Sequence, residues 1–208
     1  MLLKIKGGSR IVKRKNIIFL GLTLLVIFSF SLTTLAKEQV FDFRKTNWGM
    51  SVKQVKAIED AKLGPAGDSE LGYSGIKIDG KDFICVYFFL EDKLYRSAYG
   101  LLGEHSNDNL YIDDYENLKE ALTKKYGKPR FDKVTWRNDL FKDSRQDWGT
   151  AISMGHLEYF SSWETSTTDI NLGLNGDNYE ISLNFGYYSR ELKEWADKII
   201  EEKTKSSL

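Results

Sequence analysis

The 208-residue chain is 41% hydrophobic and 29% charged, with 17 Gly, 2 Pro and no formal net charge. That balance excludes a disordered, collagen-like or multi-spanning membrane protein, and an aromatic content of 13% is enough to build a sizeable core. The neutrality averages two unlike segments: residues 1–36 hold six bases and no acid, and the remainder holds 24 bases against 30 acids, a net −6 that disfavours nucleic acid or anionic lipid as a partner.

The basic segment has the order of a secretory signal. Lys13-Arg14-Lys15 precedes the uncharged run Ile17 to Phe30, and Thr34 and Ala36 place small residues before Lys37. Cleavage is expected after Ala36. Left uncleaved, the stretch from Asn16 to Ala36 is long enough to anchor the chain in a bilayer. Either outcome places the rest of the chain outside a bacterial-type cytoplasm, as a secreted, periplasmic or cell-surface protein. Val12 is a second possible start, if the codons of Lys6-Gly7-Gly8 spell a purine-rich ribosome-binding site.

After the leader, alternation over Val40-Phe41-Asp42-Phe43 predicts a short extended lead-in. Ser51 and Gln54 form a capping box, Met50 and Val55 stand where a hydrophobic staple needs them, and Val52, Val55 and Ile58 share one helical face. Gly64-Pro65 is expected to stop this helix. Strands are predicted at Ile76–Ile78 and Phe83–Leu90 around an Asp79-Gly80 turn, the second strand apolar on both faces. Glu91-Asp92-Lys93 then turns the chain into Leu94–Leu102. Cys85, the only cysteine, sits inside the apolar run and is read as core.

The order then repeats. Asp113 and Glu116 suggest a second capping box, Tyr115, Leu118, Leu122 and Tyr126 share a helical face, and Gly127 and Pro129 stop the helix. Strands follow around Val134–Trp136, Leu157–Trp163, Thr168–Leu174 and Tyr179–Tyr187, with Asn175-Gly176 as the expected last hairpin turn. Ser189 caps a closing helix with Leu192, Trp195, Ala196, Ile199 and Ile200 on its core side. The chain thus divides into residues 1–36 (signal or anchor), 37–104 and 105–208. The expected class is α+β: antiparallel sheet with helices on one face, built from two tandem helix-plus-meander units. Whether the halves form one core or two is open.

Chemistry is sparse in this sequence. The two histidines, His105 and His156, are not at metal-ligand spacing, no phosphate loop or nucleophile elbow occurs, and no cofactor is implied. Glu158 and Glu164, near Trp163, are the candidate acid pair for polysaccharide hydrolysis. Asp108, Asp113, Asp114 and Glu116 are the candidate calcium ligands, without the spacing of a calcium loop. Tyr159, Phe160, Trp163, Tyr187 and Tyr188 are the candidate binding residues: alternation along strands forces some of them off the core face, where they could form a patch for protein or sugar.

Trp48-Gly49-Met50-Ser51 followed by Val55 and Glu59 resembles the opening of a set of uncharacterised exported bacterial proteins. That helix start, followed by Tyr87-Phe88-Phe89-Leu90-Glu91-Asp92-Lys93-Leu94, more remotely resembles the helix-plus-meander unit of two families: the beta-lactamase-inhibitor proteins and the small lipoprotein of the outer-membrane barrel-assembly machine. The resemblance implies a non-enzymatic module that binds another protein. The chain departs from the lipoprotein in having no Cys after the apolar stretch, and from the inhibitor in having no disulfide pair. The leading expectation is therefore an exported binding module whose partner is another envelope protein. The alternative is a cell-wall polysaccharide hydrolase or sugar-binding accessory. Nucleic acid is excluded as a partner, and membrane enters only through an uncleaved leader.

Overall fold

The computed structural model describes residues 40–67 and 69–206. The signal, anchor and alternative-start expectations lie outside the described residues. Among the described residues, no helix is long and apolar enough to cross a membrane.

The lead-in is extended only as far as Phe43, which bridges to Thr46 around Arg44, a residue with φ +50°. Helix α1 (Val52–Ile58) starts as its sequence predicts: Ser51 Oγ accepts from the Gln54 N–H, and the Gln54 side chain accepts from the Ser51 N–H. It ends at Glu59, short of Gly64-Pro65, which belong instead to strand β1 (Lys62–Ala66). Proline is tolerated there because β1 is an edge strand with one unpaired side.

Strands β2 (Glu70–Ile78), β3 (Lys81–Leu90) and β4 (Lys93–Leu101) complete the first meander. Helix α2 (Leu110–Tyr126) opens the second half, followed by β5 (Phe131–Trp136), a 3-10 turn (Arg145–Asp147), helix α3 (Trp148–Ser153), β6 (Leu157–Glu164), β7 (Thr168–Asp177), β8 (Glu180–Ser189) and helix α4 (Lys193–Ser206). The fold is α+β. All eight strands form one antiparallel sheet in the order β1-β2-β3-β4-β8-β7-β6-β5, so the two meanders meet where β4 pairs with β8.

The hairpin turns follow one rule. Asp79-Gly80 and Glu91-Asp92 both have positive φ at each residue, matching the right-handed twist of the flanking strands. The last hairpin uses Asn178-Tyr179, φ +50° and +68°, rather than Asn175-Gly176. Asn175 and Gly176 lie within β7, paired with Ser182 and Ile181. Gly176 is needed for proximity: a Cβ there would stand 2.7 Å from Glu180 O and 2.9 Å from Ser153 Cα, so only glycine lets α3 rest on the β7–β8 hairpin.

The second capping box does not form. Helix α2 begins at Leu110, three residues before Asp113, and Asn109 precedes it without a side-chain cap. The helix turns Tyr115, Leu118 and Leu122 into the core, and the Tyr115 hydroxyl meets Ser161 Oγ at 2.6 Å.

One continuous core joins both halves: Val55 of α1, Tyr115 and Leu118 of α2 and Ile152 of α3 pack with Tyr87, Leu172 and Phe185 of the sheet. Cys85 is fully buried there, and burial pushes its thiol up to about 12. Helix α4 departs from expectation. Of the five apolar residues assigned to its inner side only Ala196 is buried, apart from the main core, while Ile200 is 42% exposed. Together with Lys193 and Asp197, these residues face Arg96, Asn171 and Tyr188, on the opposite side of the sheet from α1, α2 and α3.

A buried polar knot fixes the lead-in to the core. Arg44 Nε and Nη2 donate to the two oxygens of Glu59 at 2.8 and 2.9 Å, and the Tyr87 hydroxyl donates to Glu59 Oε2 at 2.5 Å. Burial alone would raise the Glu59 pKa, but the hydrogen bonds from Arg44, Tyr87 and the Ala61 N–H outweigh it and hold the carboxyl below its ordinary 4.5. Farther along, Trp48 Nε1 donates to Thr168 Oγ1 at 3.0 Å, tying the first half to the start of β7.

Candidate functional site

Of the sequence candidates for catalysis, all but His156, whose buried Nδ1 has no hydrogen-bond partner among the described residues, are held by other charged groups. His105 Nε2 lies 2.7 Å from Asp114 Oδ2, and Lys81 Nζ lies 2.9 Å from the other oxygen of this buried carboxylate, so Asp114 clamps the loop before α2 to β3. His156 stacks on Phe141. Neither imidazole is hydrogen-bonded to a Ser, Thr or Cys side chain among the described residues.

Glu158 is held by Arg137 and Glu164 by Arg130, at 2.9 and 2.6 Å. The two glutamates are six residues apart on β6, about 20 Å at roughly 3.3 Å per residue, whereas glycoside hydrolysis needs carboxylates about 5–10 Å apart. Of the calcium candidates, Asp114 is taken by Lys81 and His105, Glu116 pairs with Lys119, and Asp108 and Asp113 stand apart from them. Among the described residues no group of three or more His, Cys, Asp or Glu could hold a metal ion.

Strand alternation sorts the five aromatic candidates. Tyr159, Trp163 and Tyr187 are buried on the core face, where Tyr159 packs on Tyr115 and Trp163 Nε1 donates to Gly127 O. Their rings are turned to the core rather than to the open face, although Trp163 also borders a cavity beneath α4. Phe160 and Tyr188 project from the opposite face.

That opposite face is the open face of the sheet. On β3 it carries Ile84, Val86 and Phe88, each only half-buried, so β3 is not covered on both sides as its composition suggests. Across the β4–β8 seam it carries Arg96 opposite Tyr188, and beyond them Ser162 opposite Phe131, with the Phe160 ring tilted against Phe131 at 5.9 Å. Phe131 and Phe160 are 47% and 38% exposed. Helix α4 leans over one end of this face and leaves a cavity of about 520 Å³ beneath it.

Arg96 is the unusual residue in that cavity. Its guanidinium lies 4.6 Å from the centre of the Phe88 ring and 5.1 Å from that of Tyr188, clamped by two aromatic side chains. The Tyr188 ring can take up that position because Gly186 has no Cβ, which would meet the ring at 2.9 Å. Yet Arg96 makes no ion pair among the described residues, and its buried Nε has no hydrogen-bond partner. Two of the three carboxylates lining the cavity are engaged by other bases, Glu164 by Arg130 and Arg190 and Asp169 by Arg190; the third, Asp197 of α4, is in no ion pair among the described residues. Arg96 was missing from the sequence candidates. Alternation from Leu94 would put it on the core face; the irregularity in β3–β4 pairing between Phe88 and Phe89 turns it to the open side, and no local sequence signal marks that.

No protein family, characterised protein or solved structure matches this chain.

Proposed function

We propose that this chain is an exported, non-enzymatic binding module of the bacterial envelope or exterior, and that the open sheet face, with the cavity under α4, engages another envelope protein. The observation that carries this reading is one cavity lined by exposed Phe131 and by Arg96, clamped between rings and unpaired, with exposed Phe160 in ring contact with Phe131 beside it. Exposed aromatic rings beside an arginine are the residue types that dominate protein interfaces. The basic-apolar leader supports the location, and the resemblance of the Trp48–Leu94 region to protein-binding units supports the class. For the hydrolase alternative, the expected pair Glu158 and Glu164 stands too far apart along β6.

The test is crosslinking in intact cells, comparing wild type with Phe131→Ser/Phe160→Ser on the open face and with Lys124→Ser on the outer side of α2. A specific crosslinked species lost only in the open-face variant supports the proposal. A species that survives both substitutions, or polymer loss from purified cell wall treated with the protein, sinks it.

A further inference from the structure

We infer that Arg96 anchors a carboxylate-recognition site, and that the cavity under α4 receives an aspartate or glutamate side chain of an extended polypeptide, with an apolar neighbour of that acid resting on Phe131. This inference rests on the proposed role of the open face and specifies the partner's chemistry.

The argument begins with what arginine requires. A guanidinium presents five N–H donors in a planar fork suited to a carboxylate, and leaving its donors unmatched in a half-buried position is costly. The other half-buried arginine on the core side, Arg44, follows that rule with two bonds to Glu59. Arg96 has the same shielding without the anion. Phe88 and Tyr188, on the two strands flanking β4, hold the guanidinium between them, and with Nε buried it is the terminal Nη groups that are left to meet a ligand. Held this way, the side chain has already lost the rotamer freedom that binding would otherwise cost it.

The cavity walls specify the rest of the ligand. The lining is mixed, with Arg130 and Lys193 set against Glu164, Asp169 and Asp197, and within it Phe131 contributes an exposed ring and Ile200 an aliphatic side from α4 that suit an apolar residue next to the acid. A volume of about 520 Å³ admits more than a single carboxylate, and Phe131 in its wall adjoins Phe160 on the same open face, a strip along which an extended segment can run. Asp197, on α4, also lines the cavity and makes no ion pair among the described residues. Its charge opposes an incoming carboxylate, so removing it should strengthen binding.

The experiment titrates the full-length protein with two capped peptides, acetyl-Leu-Glu-Leu-amide and acetyl-Leu-Gln-Leu-amide, by calorimetry and by backbone amide shifts. Loss of one charge-assisted bidentate contact predicts at least about tenfold weaker binding of the Gln peptide. Arg96→Gln should lose the same factor for the Glu peptide while keeping the wild-type urea midpoint, and Asp197→Asn should strengthen Glu-peptide binding about threefold. Shifts should fall on β4, β8 and α4. Equal affinity for the two peptides, wild-type binding by Arg96→Gln, shifts elsewhere, or no binding of either peptide overturns the inference. If Phe131→Ser/Phe160→Ser abolishes the crosslinked species while Arg96→Gln retains it, the open-face reading stands and the carboxylate site falls. If neither variant changes it, both fall.

Discussion

Two arginines on opposite faces of one sheet make a direct comparison. Arg44 lies on the core side, bonded through both ends of its guanidinium to Glu59, whose carboxylate also accepts from the Tyr87 hydroxyl and the Ala61 N–H. Arg96, on the open side, is shielded by Phe88 and Tyr188 but has no carboxylate. The first arrangement is saturated, and removing any member strands a buried partner. The second is rigid but unfinished. A saturated cluster tells about stability, and an unfinished one points outward to a ligand.

The comparison breaks most visibly at Glu59. Glu59→Gln should lower unfolding free energy by on the order of 3 kcal/mol, read from urea denaturation, because Arg44 keeps a charge with no counter-ion in a half-buried place. A loss near zero would mean that the knot is ornamental and that the contrast with Arg96 carries no information. Next in size is Gly176→Ala, expected to cost about 2 kcal/mol, since the new methyl would force α3 away from the β7–β8 hairpin. A wild-type midpoint there would show that the hairpin yields without strain.

Acid sharpens the contrast further. The folded-state pKa of Glu59 lies below its ordinary 4.5, so the stabilisation it contributes is complete above that value and drains away as pH falls from about 4.5 through the folded pKa. The wild-type urea midpoint should therefore fall more steeply below pH 4.5 than that of Glu59→Gln, and parallel curves would contradict the assignment. Arg96→Gln should have the smallest effect, under about 1 kcal/mol, because only its stacking on two rings is lost. A larger loss would make Arg96 a structural residue and weaken its role as an anchor.

Local signals in the sequence were reliable wherever one short stretch settled the geometry. Ser51 and Gln54 formed their capping box, Asp79-Gly80 made its turn, and Gly127 ended α2. In β8 the alternating residues Leu183 and Phe185 face inward. Failures arose where a residue answered to something distant. Gly176 reads as a turn glycine, yet it serves the approach of α3, about twenty-five residues earlier in the chain. Asp113 and Glu116 read as a cap, but helix initiation moved upstream, and the acid that matters is Asp114, drawn inward by Lys81 and His105. The candidate site was partly legible: Phe160 and Tyr188 were named with Tyr159, Trp163 and Tyr187, and only the core decides which of them are buried. Arg96 could not be singled out, because its lack of a partner depends on where Glu164 and Asp169 find theirs.

The pairing of β4 with β8 has a consequence for how the chain comes into being. A polypeptide threaded out from its N-terminus completes β4 more than eighty residues before its neighbour at Arg96, Tyr188, emerges. During that interval the first meander has a bare hydrogen-bonding edge at Lys93–Leu101, the kind of edge that recruits strands from other molecules. Nascent chains shortened before Glu180 should therefore need a holding chaperone, and release from it should coincide with arrival of the final strand.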